Sequence, residues 1–140
     1  MINTNYPPGE KMKNETKYTI DYEKQDKLVP VVVIDTKTKE VLMLAYANKE
    51  AVEKTLEIRK AHYFSRSRNK LWLKGESSGN FQLVQRVAID CDNDTLLYEV
   101  KQIGPACHEG YKSCFFRDID ADKATINQKR IEDPEKIYKR

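Results

Sequence analysis

The chain has 140 residues, 39% hydrophobic and 34% charged, with a formal net charge of +3. That length suits one domain with its own core, and so small a charge does not by itself mark a nucleic-acid-binding surface. The apolar run Val29–Ile34, interrupted by Pro30, falls far short of the roughly 20 residues that cross a bilayer. The opening residues contain no apolar h-region, so no secretory leader is expected there. Three cysteines, an odd number, suit free thiols or metal ligands in a reducing cytoplasm better than a disulfide framework.

Residues 1–26 read as a polar N-terminal extension, with a Pro7-Pro8-Gly9 turn and one short edge strand around Tyr18–Tyr22. The domain proper is expected over 27–119. Val29–Ile34 is β-branched and continuous, which predicts a strand buried on both faces, with Pro30 near its start. A turn over 35–40 and a second strand over Val41–Ala47 complete a hairpin. Asn48 is placed to cap a helix running to about Ile58, with Glu50 in its first turn and Val52 and Leu56 on one face. His62–Ser67 and Leu71–Lys74 alternate as strands, and Gly75–Asn80 is a loop. Phe81–Cys91 and Thr95–Ile103 form another hairpin, ended by Gly104-Pro105. A last strand is expected over Cys114–Ile119. Residues 120–140 read as a C-terminal tail with a short helix, because Asp133-Pro134 supplies an N-cap and a proline at the first helical position. The fold class is α+β, a strand-rich single domain with one main helix.

The richest chemistry lies in Asp90-Cys91-Asp92-Asn93-Asp94 and in Cys107, His108 and Cys114. Thiolates favour zinc, whereas carboxylates favour magnesium, calcium or manganese, so the interleaving suggests two metals. If strand geometry persists, Asp90, Asp92 and Asp94 face one way and Cys91 the other. An ordinary solvated turn accounts for the run equally well. An EF-hand starting at Asp90 is excluded by Thr95 and Lys101 at its glycine and glutamate positions. The zinc deaminase signature also fails, because Pro105-Ala106-Cys107 has no cysteine three residues on. Three thiols without a Cys-x-x-Cys knuckle fit a catalytic zinc with a vacant position for water. The plain alternative is that each cysteine is a small buried hydrophobe.

His108, beside Cys107, is the candidate for proton transfer; an isolated histidine such as His62 is more often structural. Arg66, Arg68 and Lys74 are candidates for substrate phosphate, although a solvated polar hairpin explains them equally well. Ser65-Arg66-Ser67-Arg68 lacks the interleaved aromatics of an RNA-stacking platform.

Five segments, read in order, resemble the phosphoribosyl-AMP cyclohydrolases of histidine biosynthesis. They are Val41–Tyr46, His62–Arg68, Leu71–Asn80, Asp90–Asp94 and Ala106–Phe115, together covering roughly 28–118. The joint occurrence of the acid–cysteine run and the Cys-His…Cys segment at the family's spacing makes the resemblance specific. It implies a hydrolase that opens the adenine ring of phosphoribosyl-AMP at the N1–C6 bond, by zinc-activated water attack on C6. It also implies Cys91, Cys107 and Cys114 as zinc ligands, and Asp90, Asp92 and Asp94 as magnesium ligands. An intertwined homodimer is implied, with Cys91 from one subunit meeting Cys107 and Cys114 of the other. The stretch after Asp118 is too short for the fused pyrophosphohydrolase domain of some relatives, so a monofunctional cytoplasmic enzyme is expected, with neither nucleic acid nor membrane as partner. Two rivals are weaker. A Nudix-like pyrophosphatase lacks its signature carboxylate helix here. A non-catalytic zinc-stabilised nucleic-acid-binding module needs a fourth ligand and more positive charge.

Overall fold

The computed structural model describes residues 15–138. The Pro7-Pro8-Gly9 turn lies outside the described residues. Two strands, β1 (Val29–Asp35) and β2 (Val41–Ala47), form the expected antiparallel hairpin. Helix α1 (Lys49–Ile58) follows, with the Asn48 side chain accepting from Ala51 N at 2.9 Å. It ends where Arg59 turns left-handed at φ 65°. Next come β3 (His62–Ser65), β4 (Lys70–Leu73), β5 (Gln82–Ile89) and β6 (Leu96–Gln102).

The main sheet has the order β2-β1-β6-β5, in which only β1 and β6 run parallel. The hairpin of β3 and β4 forms a separate small sheet. Thr55 of α1 ties the two layers together. Its hydroxyl donates to Ala51 O at 2.8 Å and accepts from His62 N at 2.9 Å, fixing the start of β3. The core between helix and sheet holds Val31, Val33, Leu42, Ala51, Tyr63, Tyr98 and Val100, all fully buried.

Three expectations are corrected. Burial alternates along β1 instead of covering both faces: Val29, Val31 and Val33 are buried, while Pro30, Val32 and Ile34 are half-exposed. The second face is apolar without a covering layer in the single chain. No strand forms over Tyr18–Tyr22. Instead Asp21 N donates once to Asn93 O at 2.7 Å, and Ile20 and Tyr22 pack on the core. The last strand begins later than Cys114, because Cys114 N is committed to Leu42 O at 2.7 Å, outside any ladder. It runs Arg117–Asp120 (β7) and pairs with an unforeseen strand, Lys123–Ile126 (β8). This hairpin crosses the boundary set at residue 120. Beyond it lies α2 (Pro134–Ile137), whose cap is as expected: the Asp133 side chain accepts from Glu135 N at 3.0 Å.

Candidate active site

The acid run is a turn between β5 and β6, and the strand geometry does not persist through it. Asn93 takes φ 63°, and Asp90 Oδ1 accepts from Asp94 N at 3.0 Å and Thr95 N at 3.2 Å. The turn itself draws Asp90, Asp92 and Asp94 together, with one oxygen of each within 4.8 Å of the others. Among the described residues no other group of three or more His, Cys, Asp or Glu comes so close. Such convergence is unfavourable without a cation. Lys24 supplies one charge from the side, its ammonium 3.1 Å from Asp94 Oδ2. That hydrogen bond holds Asp94 below the ordinary carboxylate range, and Asp94 in turn raises Lys24. Cys91, at the same turn, is exposed.

The other thiols sit on the loop after β6. This loop is pinned to β2, with Ser113 Oγ donating to Val41 O at 2.7 Å and Cys114 N to Leu42 O. A tight turn closes inside it, with Cys107 N donating to Tyr111 O at 3.1 Å and Gly110 N to Cys107 O at 3.0 Å. Glu109 N donates to Cys107 Sγ at 3.4 Å. Cys107 is buried, and Cys114 is exposed as a residue. Burial around the Cys114 thiol, with the charge of Cys107 adding to it, nonetheless pushes its pKa up to about 11. A buried thiol beside a second sulfur suits a cation that could bind both. Cys91 does not join them within one chain.

A cleft of about 810 Å³ opens beside these thiols. Cys114 and His108 border it, as do Lys74, Arg66 and Arg68. The structure therefore gathers five of the residues singled out from sequence in one concavity. Lys74 follows directly on β4, its amine donating to Ala106 O at 2.6 Å. Burial lowers its pKa, while the nearby charges of Cys114 and Cys107 work against that shift. Arg66 stacks over Tyr46, with its guanidinium carbon 4.1 Å from the ring centroid. His62 belongs elsewhere: it is buried, and its Nδ1 hydrogen-bonds to Lys60 O at 2.7 Å, a structural role.

The model of the phosphoribosyl-AMP cyclohydrolase family matches residues 43–116. The chain belongs to this family. It is similar to the phosphoribosyl-AMP cyclohydrolase of Methanoregula boonei, 59% identical over 111 residues, covering 79% of this chain and 88% of the relative. The Methanospirillum hungatei phosphoribosyl-AMP cyclohydrolase is 51% identical over 127 residues, 91% of this chain and 94% of that one. The histidine biosynthesis bifunctional protein of Thermoanaerobacter pseudethanolicus is 53% identical over 111 residues, 79% of this chain but only 51% of its own length.

In this cyclohydrolase-family chain the cleft also takes a residue that sequence reading left out. Tyr138, from the polar tail, lines it. The Asp133-Pro134 helix start was visible, but nothing in the sequence tied that helix to the thiol loop.

Proposed function

We propose that the protein hydrolyses the N1–C6 bond of phosphoribosyl-AMP in histidine biosynthesis, using zinc at Cys91, Cys107 and Cys114 and magnesium at Asp90, Asp92 and Asp94. The observation that carries this reading is a single cleft in which His108 and Cys114 meet three cations, Arg66, Arg68 and Lys74, in a chain of this family. The donor sets suit the two ions, soft thiols on one side and converging carboxylates on the other. Cys107 and Cys114 are neighbours, and the third thiol is absent from their group in a single chain. A homodimer that brings Cys91 from the partner would complete it. The half-exposed apolar face of Pro30, Val32 and Leu97, continued by exposed Leu44, supports such a pairing.

The substrate carries a ribose on N1, which leaves C6 electron-poor. Zinc on three thiolates would supply water acidified toward a pKa of about 7. Magnesium at the carboxylates would offset phosphate charge. His108 takes a proton from the attacking water as the C6–O bond forms and returns it to N1 as the C6–N1 bond breaks, while the second water proton passes to the exocyclic nitrogen, which becomes the carboxamide NH2. C6 then ends as the carboxamide carbon, and N1 stays on its ribose. Arg66 and Arg68 neutralise phosphate at the open mouth. Lys74, anchored on Ala106 O, places its charge beside the thiols.

Ultraviolet monitoring of ring opening, with zinc content measured on the same samples, tests the reading. Cys107→Ala should lose both zinc and turnover, and retention of both would refute the assignment. Mixing unfolded Cys91→Ala and Cys107→Ala chains and refolding them together should restore about a quarter of wild-type activity, since half the dimers are mixed and each has one intact site. No recovery would place all three thiols in one chain.

A further inference from the structure

The segment 128–138 lies beyond the residues that the family model matches, yet it is built onto the thiol loop. Ile131 N and Glu132 N both donate to Gly110 O, at 2.8 and 3.2 Å. Arg130 Nε donates to Glu109 O at 2.7 Å, and its guanidinium lies 5.1 Å from the Tyr111 ring centroid. Gly110 has φ +90°, and a Cβ there would collide with Glu132 O. The loop thus leaves room for the segment at the position next but one to His108. Farther along, Ile137 is 1% exposed and anchors α2. The next residue, Tyr138, borders the cleft that His108, Cys114 and Trp72 also line, and its side is open, the residue being 58% exposed.

An exposed aromatic ring following a buried anchor is poorly explained by packing, because Ile137 already provides the docking. The cleft has further aromatic walls in Tyr46, Phe64 and Trp72. A purine presents two π faces, and aromatic rings hold such faces without needing a particular hydrogen-bond pattern. Arg66 and Arg68 already serve the phosphates, so a phenol is not needed there.

We propose that the C-terminal segment is part of the active site and that Tyr138 is a substrate-binding residue whose ring packs against the purine of bound phosphoribosyl-AMP. This rests on the ring-opening reading for the identity of the ligand, and on the cleft alone for an aromatic base. The thiol loop and the segment form one unit, so base binding is linked to the loop that carries His108.

Two measurements separate the possibilities. The first is steady-state ring opening by the metal-loaded protein. Tyr138→Ala should raise KM roughly tenfold with little change in kcat, the size of a lost base–aromatic contact. Tyr138→Phe should restore KM, since the ring and not the hydroxyl is used. The second is quenching of the single tryptophan, Trp72, titrated with AMP as probe. Tyr138→Ala should weaken that binding by a similar factor, with the urea midpoint and zinc content unchanged. An unaltered KM and an unaltered AMP titration would overturn the proposal, as would a loss confined to the urea midpoint. If wild-type protein failed to open phosphoribosyl-AMP at all, the functional reading would fall, while the AMP titration would still decide the role of Tyr138.

Discussion

Gly110→Ala should lift the C-terminal segment off the thiol loop. Two costs arise at this position. The residue sits at φ +90°, where an L side chain is strained, by about 1–2 kcal/mol. The added Cβ also collides with Glu132 O, so the segment must move. Moving it breaks the hydrogen bonds from Ile131 N and Glu132 N to Gly110 O, each worth about 1 kcal/mol net. The sum, about 3–4 kcal/mol, is enough to populate an undocked segment while leaving the sheet intact. The assay is native-state hydrogen exchange read by residue. The amides of Ile131 and Glu132 should lose protection by two orders of magnitude or more, on the order of what 3 kcal/mol implies, whereas those of β1 and β6 should keep theirs. Because Tyr138 leaves with the segment, AMP binding should weaken as well. Protection unchanged at Ile131 and Glu132 would show that the segment is not held through Gly110, and the steric argument would be wrong.

Acid stability should depend on Glu99. Burial raises its pKa, but hydrogen bonds from Lys39 at 2.9 Å and Thr36 at 3.0 Å, with Arg86 nearby, overcome this and hold it below its ordinary value of 4.5. A depressed carboxyl stabilises the fold above its unfolded pKa and loses that contribution as pH falls through the lower, folded one. Urea midpoints should therefore drop for the wild type from about pH 4.5 downward. In Glu99→Gln that acid limb should be shallower and neutral stability lower; parallel curves at all pH values would refute the argument. Tyr63→Phe tests the buried polar network. The Tyr63 hydroxyl donates to Gln82 Oε1 at 2.5 Å, with both residues 0% exposed. Removing it strands a buried acceptor, a loss of about 1–3 kcal/mol in equilibrium urea unfolding. A variant as stable as its parent would mean that water or a rearranged Gln102 takes the vacated place.

Much of the site was legible because its chemistry is local. The acid run, the Cys107-His108 pair and the basic residues around Arg66 are distinctive in composition alone. Their grouping was less so. Arg66, Lys74, His108 and Cys114 meet because β3–β4 and the loop after β6 pack side by side, a relation between segments far apart in the chain. The run Asp90, Asp92 and Asp94 left two readings open in the sequence, strand alternation and an ordinary turn, and the structure makes it a turn. Strand alternation would have aligned them on one face, but a left-handed Asn93 folds the run back on itself. Strand β8 was missed, and the expected last strand placed too early, because the residues of β7 and β8 are exposed on all sides, so no periodic burial pattern marked them. The place of Tyr138 at the cleft was missed because it depends on where Ile137 is buried, not on its own surroundings in sequence.

The sequence by itself determined the α+β class, the β1–β2 and β5–β6 hairpins, the caps at Asn48 and Asp133, and membership of the cyclohydrolase family. Each of these rests on neighbours in the chain: alternation, turn residues, capping side chains and short motifs. Only the tertiary structure decided which face of β1 is left open, how three aspartates converge, that Cys91 stands apart from Cys107 and Cys114, and that the tail reaches the cleft. These depend on long-range packing, in which burial of one residue, such as Ile137, fixes the position of another that the local sequence leaves free.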